Sequence, residues 1–392
     1  MTGSGTAADP YIIITVADLQ NVENDLDAYY GLGGNIDASD TTNWNGGAGF
    51  LPIGQAGNFT GHFDGHGFTI SDLFINRTGA YSQALFAYLF SPGVIQNVFM
   101  TGVSITTDSY YGAALVAYVD TATITNCRSA GTITGSSATG DGFGGLVGYI
   151  YTAGTISYCS SSCTVTGGDD LVGGLVGRYG GGTLTSSYAT GNVSGDDYVG
   201  GLIGECSRDL VISLCYATGA VTASGDYAGG LIGYMTVSVA STIDDCYARG
   251  GVTAGGNYVG GFIGTTESGV VIDDCYSTGT VVGVGAQVGG FCGYNADTIT
   301  NCFWDTETSE QATSSGGTGK TTAQMKTQAT FTDAGWNFTT IWVIDPGTNN
   351  GYPVLLIQLA GELAGEIAIK QTRFHYFDAY GTERYVEGTV VA

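Results

Sequence analysis

Positive charge is what this sequence lacks most: 10 Lys and Arg stand against 35 Asp and Glu in 392 residues, a formal net charge of −25. Nucleic-acid binding needs clustered basic side chains to neutralise phosphates, so a polynucleotide partner is not expected. No run of about 20 apolar residues occurs, which excludes insertion into a membrane as a spanning helix. The opening stretch MTGSGTAADPYIIIT has neither the basic start nor the apolar core of a secretion signal. Either a signal was removed from the numbered chain, or the protein leaves its cell by another route, such as release within a virus particle. Histidine is scarce, at 3 residues, and no CxxC spacing occurs, which argues against a zinc site. The charged fraction is 11%, so the acidity reflects missing bases more than abundant acids.

What is abundant is glycine, 67 residues, and repetition. The stretch GDDYVGGLIG at 195–204 is nearly repeated as GDDLVGGLVG at 168–177 and GDYAGGLIG at 225–233. Aligned on its central apolar residue, the phrase recurs at Leu85, Leu115, Leu146, Leu175, Leu202, Leu231, Phe262 and Phe291, every 27 to 31 residues. A period of that size marks a solenoid. Glycine pairs alternating with short Val, Ile, Thr and Tyr segments read as strands; a helical repeat would contain few glycines. A second phrase, seen in LTSSYATGNVS, ISLCYATGAVT and IDDCYARGGVT, supplies the faces. Alternation places Cys215, Ala217, Gly219 and Val221 inward, with Tyr216, Thr218 and Ala220 outward. The matching inward column is Cys127, Cys159, Ser187, Cys215, Cys246, Cys275 and Cys302, best read as compact buried thiols, with disulfides or a metal as the alternative. Asn126, Asp245, Asp274 and Asn301 precede members of that column and are residue types that accept a left-handed corner.

The phrases GGLVG at 144–148 and 173–177, GGLIG at 200–204 and 229–233, GGFIG at 260–264 and GGFCG at 289–293, with their NCY-like partners, resemble the GLUG-motif repeat proteins. The likeness extends over roughly residues 3–357. QALFA at 83–87 and AALVA at 113–117 depart from it, since alanine replaces the glycine that a tight turn favours. The resemblance implies a parallel β-helix in surface or secreted proteins, with no activity common to the family.

The expected fold is therefore all-β: a right-handed parallel β-helix (β-solenoid) of about 9–10 coils at about 4.8 Å per coil, with end caps and a small C-terminal β element. Residues 1–50 form the N-terminal cap and lead-in, with TVADLQNVEND a short capping helix behind Thr15. Residues 51–303 form the solenoid and 304–357 the C-terminal cap, where Trp304, Trp336, Phe338 and Trp342 would close the far end. Residues 358–392 form a docking or oligomerisation tail.

Counting back five from each motif residue gives Asp141, Asp170, Asp197, Asp226 and Asn257 on one edge, with Asp244, Asp245, Asp273 and Asp274 as a second acidic group. Paired carboxylates could serve glycoside hydrolysis, but a uniform column gives every copy the same environment, whereas catalysis needs two different ones. No catalytic residue is assigned. Ca²⁺ is the one cofactor considered, with Asp170, Asp197 and Asp226 as its candidate ligands. His62, Asp64 and His66 could ligate a transition metal, although the glycines around them read as structural. An outward column of Tyr188, Tyr216, Tyr247 and Tyr276 either stabilises the solenoid or binds sugar faces.

These readings lead to a non-enzymatic structural or adhesive solenoid on a surface. The first expectation is an extracellular virion component, a spike, fibre or decoration protein contacting host glycans and joined to other virion or surface proteins, or to further copies of itself, through 358–392. The alternatives are a secreted cell-surface adhesin or matrix protein and a polysaccharide-degrading β-helix enzyme.

Overall fold

The computed structural model describes residues 1–79, 82–108, 110–136, 142–236, 241–267 and 269–359, with the backbone of Phe374–Phe377 and Glu383–Val386. The chain divides into two compact units, Met1–Gly335 and Trp336–Ala392.

The first unit is a parallel β-solenoid of about nine turns. In a middle coil, Val199–Gly200 is followed by Ile203–Cys206, Leu210–Ser213, Tyr216–Ala217 and Val221–Ala223, and each strand pairs in parallel with its counterpart one repeat later. Side chains thereby fall into columns. The motif column Leu85, Leu115, Leu146, Leu175, Leu202, Leu231, Phe262 and Phe291 is wholly buried, and its last two rings stack at 4.6 Å. The column from Cys127 to Cys302 is also buried, and each thiol donates to a nearby carbonyl, as from Cys215 Sγ to the Ser213 oxygen at 3.1 Å. All nine cysteines are free and buried.

The glycines of GGLIG have a packing role. Gly200, Gly201 and Gly204 are absent from the residues with positive φ. What they require is space: a methyl on Gly200 would stand 2.8 Å from the Gly233 nitrogen, and one on Gly201 would stand 3.0 Å from Ala217 Cβ across the core. Gly230 faces Ala248 in the same way. The second glycine of one phrase and the alanine of the other are thus complementary halves of a narrow core. In QALFA and AALVA the turn survives, and Ala84, Ala113 and Ala117 form a small buried cluster against Tyr111.

Left-handed corners occur at Asn126, Asp245, Asp274 and Asn301, with φ between 47 and 51°. Tyr158, Ser186 and Leu214 take the same conformation, at 56, 51 and 56°. Stacking imposes this geometry even on residues without an Asx preference.

At the start, the helix Val16–Gln20 is capped by Thr15, whose hydroxyl accepts from the Asp18 amide at 3.0 Å. At the far end of the first unit two short helices follow the last coil. Trp304 packs into the core and donates its indole N–H to the Gln311 oxygen at 3.1 Å. Closure comes from the helices Thr322–Met325 and Gln328–Thr332, with Met325 and Phe331 buried and Phe331 edge-on to Phe303 at 5.4 Å. Thr321 and Gln324 form a capping box at the first of these, so the GGTGKTT stretch leads into a helix cap. Trp336 and Trp342 pair at 4.7 Å in the second unit, where Trp342–Ile344 runs antiparallel to Pro353–Leu355. In the tail, Phe374–Phe377 is antiparallel to Glu383–Val386; the rest of 360–392 lies outside the described residues, and with it the docking surface expected there.

Candidate functional site

The acidic edge is built from the turns that connect coils. Each carboxylate of its column faces the backbone of the next coil: the Asp197 amide donates to Asp170 at 3.1 Å, the Asp226 amide to Asp197, and the Asn257 amide to Asp226 at 2.6 Å. Asp141, the expected first member, lies outside the described residues. Burial, and then neighbouring carboxylates, raise the pKa of Asp170 and Asp197, while the amides they accept from act in the opposite direction. The carboxylates that converge are not the three expected as Ca²⁺ ligands. Ligand atoms of Asp169, Asp170 and Asp196 lie within 4.8 Å of one another, and those of Asp244, Asp245 and Asp274 do likewise, whereas Asp197 and Asp226 belong to neither group. Oxygen donors at that separation could hold a hard divalent cation. The repeated GDD was the sequence signal for Asp169 and Asp196, since consecutive acids share one turn. In the second group Asp274 is pushed up to about 6, by burial first and then by Asp273 and Asp244.

Asp64 is bound into the structure. It accepts from Gln96 at 2.7 Å, from Asn97 at 2.9 Å and from the His66 amide at 2.7 Å. Burial opposes its ionisation, but these donors outweigh it and hold the carboxyl below its ordinary range. His66 turns its Nδ1 to the Leu32 oxygen at 2.9 Å, and His62 stacks on Tyr29 at 5.4 Å. The two histidines are thus engaged with different neighbours.

The tyrosine column forms as expected. Tyr188, Tyr216, Tyr247 and Tyr276 stack at 4.6, 4.9 and 5.1 Å, with ring planes within 9° of parallel. Parallel stacking hides ring faces, leaving edges and hydroxyls for a ligand, and Tyr247 and Tyr276 are buried, the latter edge-on to Phe331 at 6.4 Å. A second column escaped the sequence reading: Tyr198, Tyr227 and Tyr258 stack at 4.9 and 4.8 Å, all with φ between 56 and 62°. Tyr234 meets Tyr198 and Tyr227 edge-on at 5.2 and 5.0 Å. The mark of this second column in the sequence is the Tyr that precedes VGG or AGG.

A third aromatic group lies on the outward side of strands Phe86–Phe90, Val116–Asp120 and Val147–Ile150. Tyr88, Tyr118 and Tyr149 are in register, yet their rings meet edge-on at 5.8 and 5.5 Å. The same column continues as Arg178 and Glu205, an ion pair at 2.6 Å, with the Arg178 guanidinium 5.1 Å from the centre of the Tyr149 ring.

A coil in which every strand pairs in parallel with the next, paved with repeated glycine phrases, defines the class: a β-solenoid. More particularly, residues 168–194 match the family described as the GLUG motif, and the repeated glycine phrases of the chain resemble it. Over 238 residues, 59% of this chain, it is 35% identical to halomucin of Haloquadratum walsbyi. Over 109 residues, 27% of this chain, it is 38% identical to a protein of Evansella cellulosilytica named as a candidate Gly-rich membrane protein. The chain spans about 2% and 12% of the lengths of these two relatives, the second of which is named as a membrane protein. A candidate immunoglobulin A1 protease from Bacteroides ovatus shares the fold, with a TM-score of 0.50 and 19% identity over 91% of this chain and 95% of that one. The protein is a β-solenoid.

Proposed function

We propose that this chain is a non-enzymatic, rigid display element on the outside of a cell, a segment of an adhesin or surface matrix. One observation carries the reading: Asp170, Asp197 and Asp226, the carboxylates of one column, each accept the amide of the coil above, so these groups hold coils in register. A hydrolase needs two carboxylates in different environments, and a uniform column supplies one environment repeated. The names of the two curated relatives support a cell surface. A virion spike or decoration protein is the second reading, favoured by outer columns rich in Thr and Ser and by a charged fraction of 11%.

Antibody labelling and protease shaving of intact cells, with mass spectrometry of purified virus particles from the same culture, test the setting. The chain is expected on the cells; recovery only from particles selects the virion reading, and recovery only from cytosol overturns both. Depolymerisation of polysaccharide or cleavage of peptide that one carboxylate substitution abolishes would overturn the non-enzymatic assignment.

A further inference from the structure

The three aromatic groups differ in what they offer a ligand. The two parallel columns turn ring faces onto each other. The in-register rings Tyr88, Tyr118 and Tyr149 meet edge-on instead, with Phe90 and Tyr151 interleaved on either side of Tyr118 in the sequence of strands. Tyr118 is the hub: it meets Tyr149 at 89°, while Phe90 and Tyr151 lie at 5.8 and 6.0 Å with planes within 22 and 25° of its own. Tyr151 remains 41% exposed, although it belongs to a cluster of rings.

Polar groups thread between these rings. Phe90 is in register with Asp120, and Tyr151 lies one coil further, its amide donating to the Val119 oxygen at 2.9 Å. Asp120 accepts from the Thr152 hydroxyl and from that of Thr121 at 3.1 Å. Beside Tyr149 stands the Arg178–Glu205 pair, and the exposed Arg208 places its guanidinium 5.2 Å from the centre of the Tyr151 ring. Rings therefore alternate with hydrogen-bonding groups of both kinds.

We propose that this face is a binding surface for a neutral glycan chain. Sugar C–H groups carry partial positive charge and pack on the electron-rich faces and edges of aromatic rings. Sugar hydroxyls need donors and acceptors side by side, which the exposed Arg208 and the half-buried Asp120 supply. A protein partner would meet an interface core depleted of charge, and this surface has charges between its rings. An acidic glycan is disfavoured, because Asp120, Glu205 and Asp209 outnumber the two arginines on a chain of net charge −25.

The inference rests on the reading that the solenoid is displayed outside the cell. Affinity electrophoresis of the full chain tests it, in native gels containing dextran, mannan or hydroxyethyl cellulose, and in matched gels with alginate or hyaluronan. Neutral polymers are expected to retard the protein. Tyr151→Ala and Asp120→Asn should each weaken that retardation at least about tenfold in Kd, ~1.4 kcal/mol, while Tyr188→Ala in the parallel column leaves it intact. Circular dichroism checks folding, and the exposed Arg208→Ala gives a second variant should Tyr151→Ala misfold. Migration unaltered in all three neutral gels overturns the proposal. So does retardation that Tyr151→Ala and Arg208→Ala leave unchanged, or retardation confined to acidic polymers and lost with salt. A surface-displayed chain that ignores neutral glycans would defeat this inference alone; a glycan-binding chain found only in cytosol would defeat the display reading alone.

Discussion

Replacing Gly201 with alanine tests the packing account of the repeat, because two effects of opposite sign compete. Gly201 has no left-handed backbone, so an alanine would adopt its conformation without strain. On that ground alone the substitution would stabilise by ~0.4–1 kcal/mol, through lower entropy of the unfolded chain. The structure opposes this gain with a clash: the new methyl would fall on the Gly230 carbonyl oxygen and lie 3.0 Å from Ala217 Cβ and 3.2 Å or less from backbone of the next coil. Overpacking of a dense core costs ~1–3 kcal/mol, so net destabilisation is expected. Nearest-neighbour coupling in a solenoid should confine the damage. Guanidinium denaturation followed by circular dichroism gives the sign, and hydrogen exchange gives the location: protection should fall across residues 172–235 and hold across 86–119. Ala217→Gly in the same chain should rescue part of the loss by removing the cross-core contact while leaving the carbonyl clash. A raised denaturation midpoint, or loss of protection spread evenly over all coils, would refute the argument.

Other consequences follow from the same columns. Ellman's reagent should find no reactive thiol in the native chain and nine after unfolding without reductant, since all nine are free and buried and burial pushes thiols such as Cys127, Cys215 and Cys275 up; fewer than nine would reveal disulfides between coils. Asp274, held at about 6 against an ordinary 3.8, carries an ionisation penalty in the folded state that is fully present above about 6 and fades as pH falls toward 3.8. The melting temperature should therefore rise between pH 7 and pH 5 by more in the native chain than in Asp274→Asn, and equal rises in the two would remove the group from account. We further propose that Asp169, Asp170 and Asp196 bind Ca²⁺ weakly: millimolar Ca²⁺ should raise the melting temperature, and Asp196→Asn should abolish most of that rise. A melting temperature unmoved by Ca²⁺ or by chelator would dispose of the cation.

Much of the core was legible in advance. Cys215, Ala217, Gly219 and Val221 point inward and Tyr216, Thr218 and Ala220 outward, as alternation required. Asn126 and Asp245 occupy left-handed corners for the reason their side chains suggested. Leu214 and Tyr158 occupy the same corner with no such preference, so the conformation there is imposed by their neighbours in the stack. The helix carrying Phe331, which packs on the last coil, was not legible, because a helix of five residues leaves almost no periodic signal. The period aligns Asp170, Asp197 and Asp226 in one column, but which oxygens approach one another depends on how each turn is folded.

By itself, the sequence determined that equivalent residues form columns. A fixed period in a parallel, in-register sheet places each copy above the last, whatever the cross-section of the coil. Only the tertiary structure decided which columns are open to a ligand. Exposure depends on segments distant along the chain, as where Phe331 covers Tyr276. That cover leaves no trace in the repeat, because it arises from contacts between residues that the period does not relate.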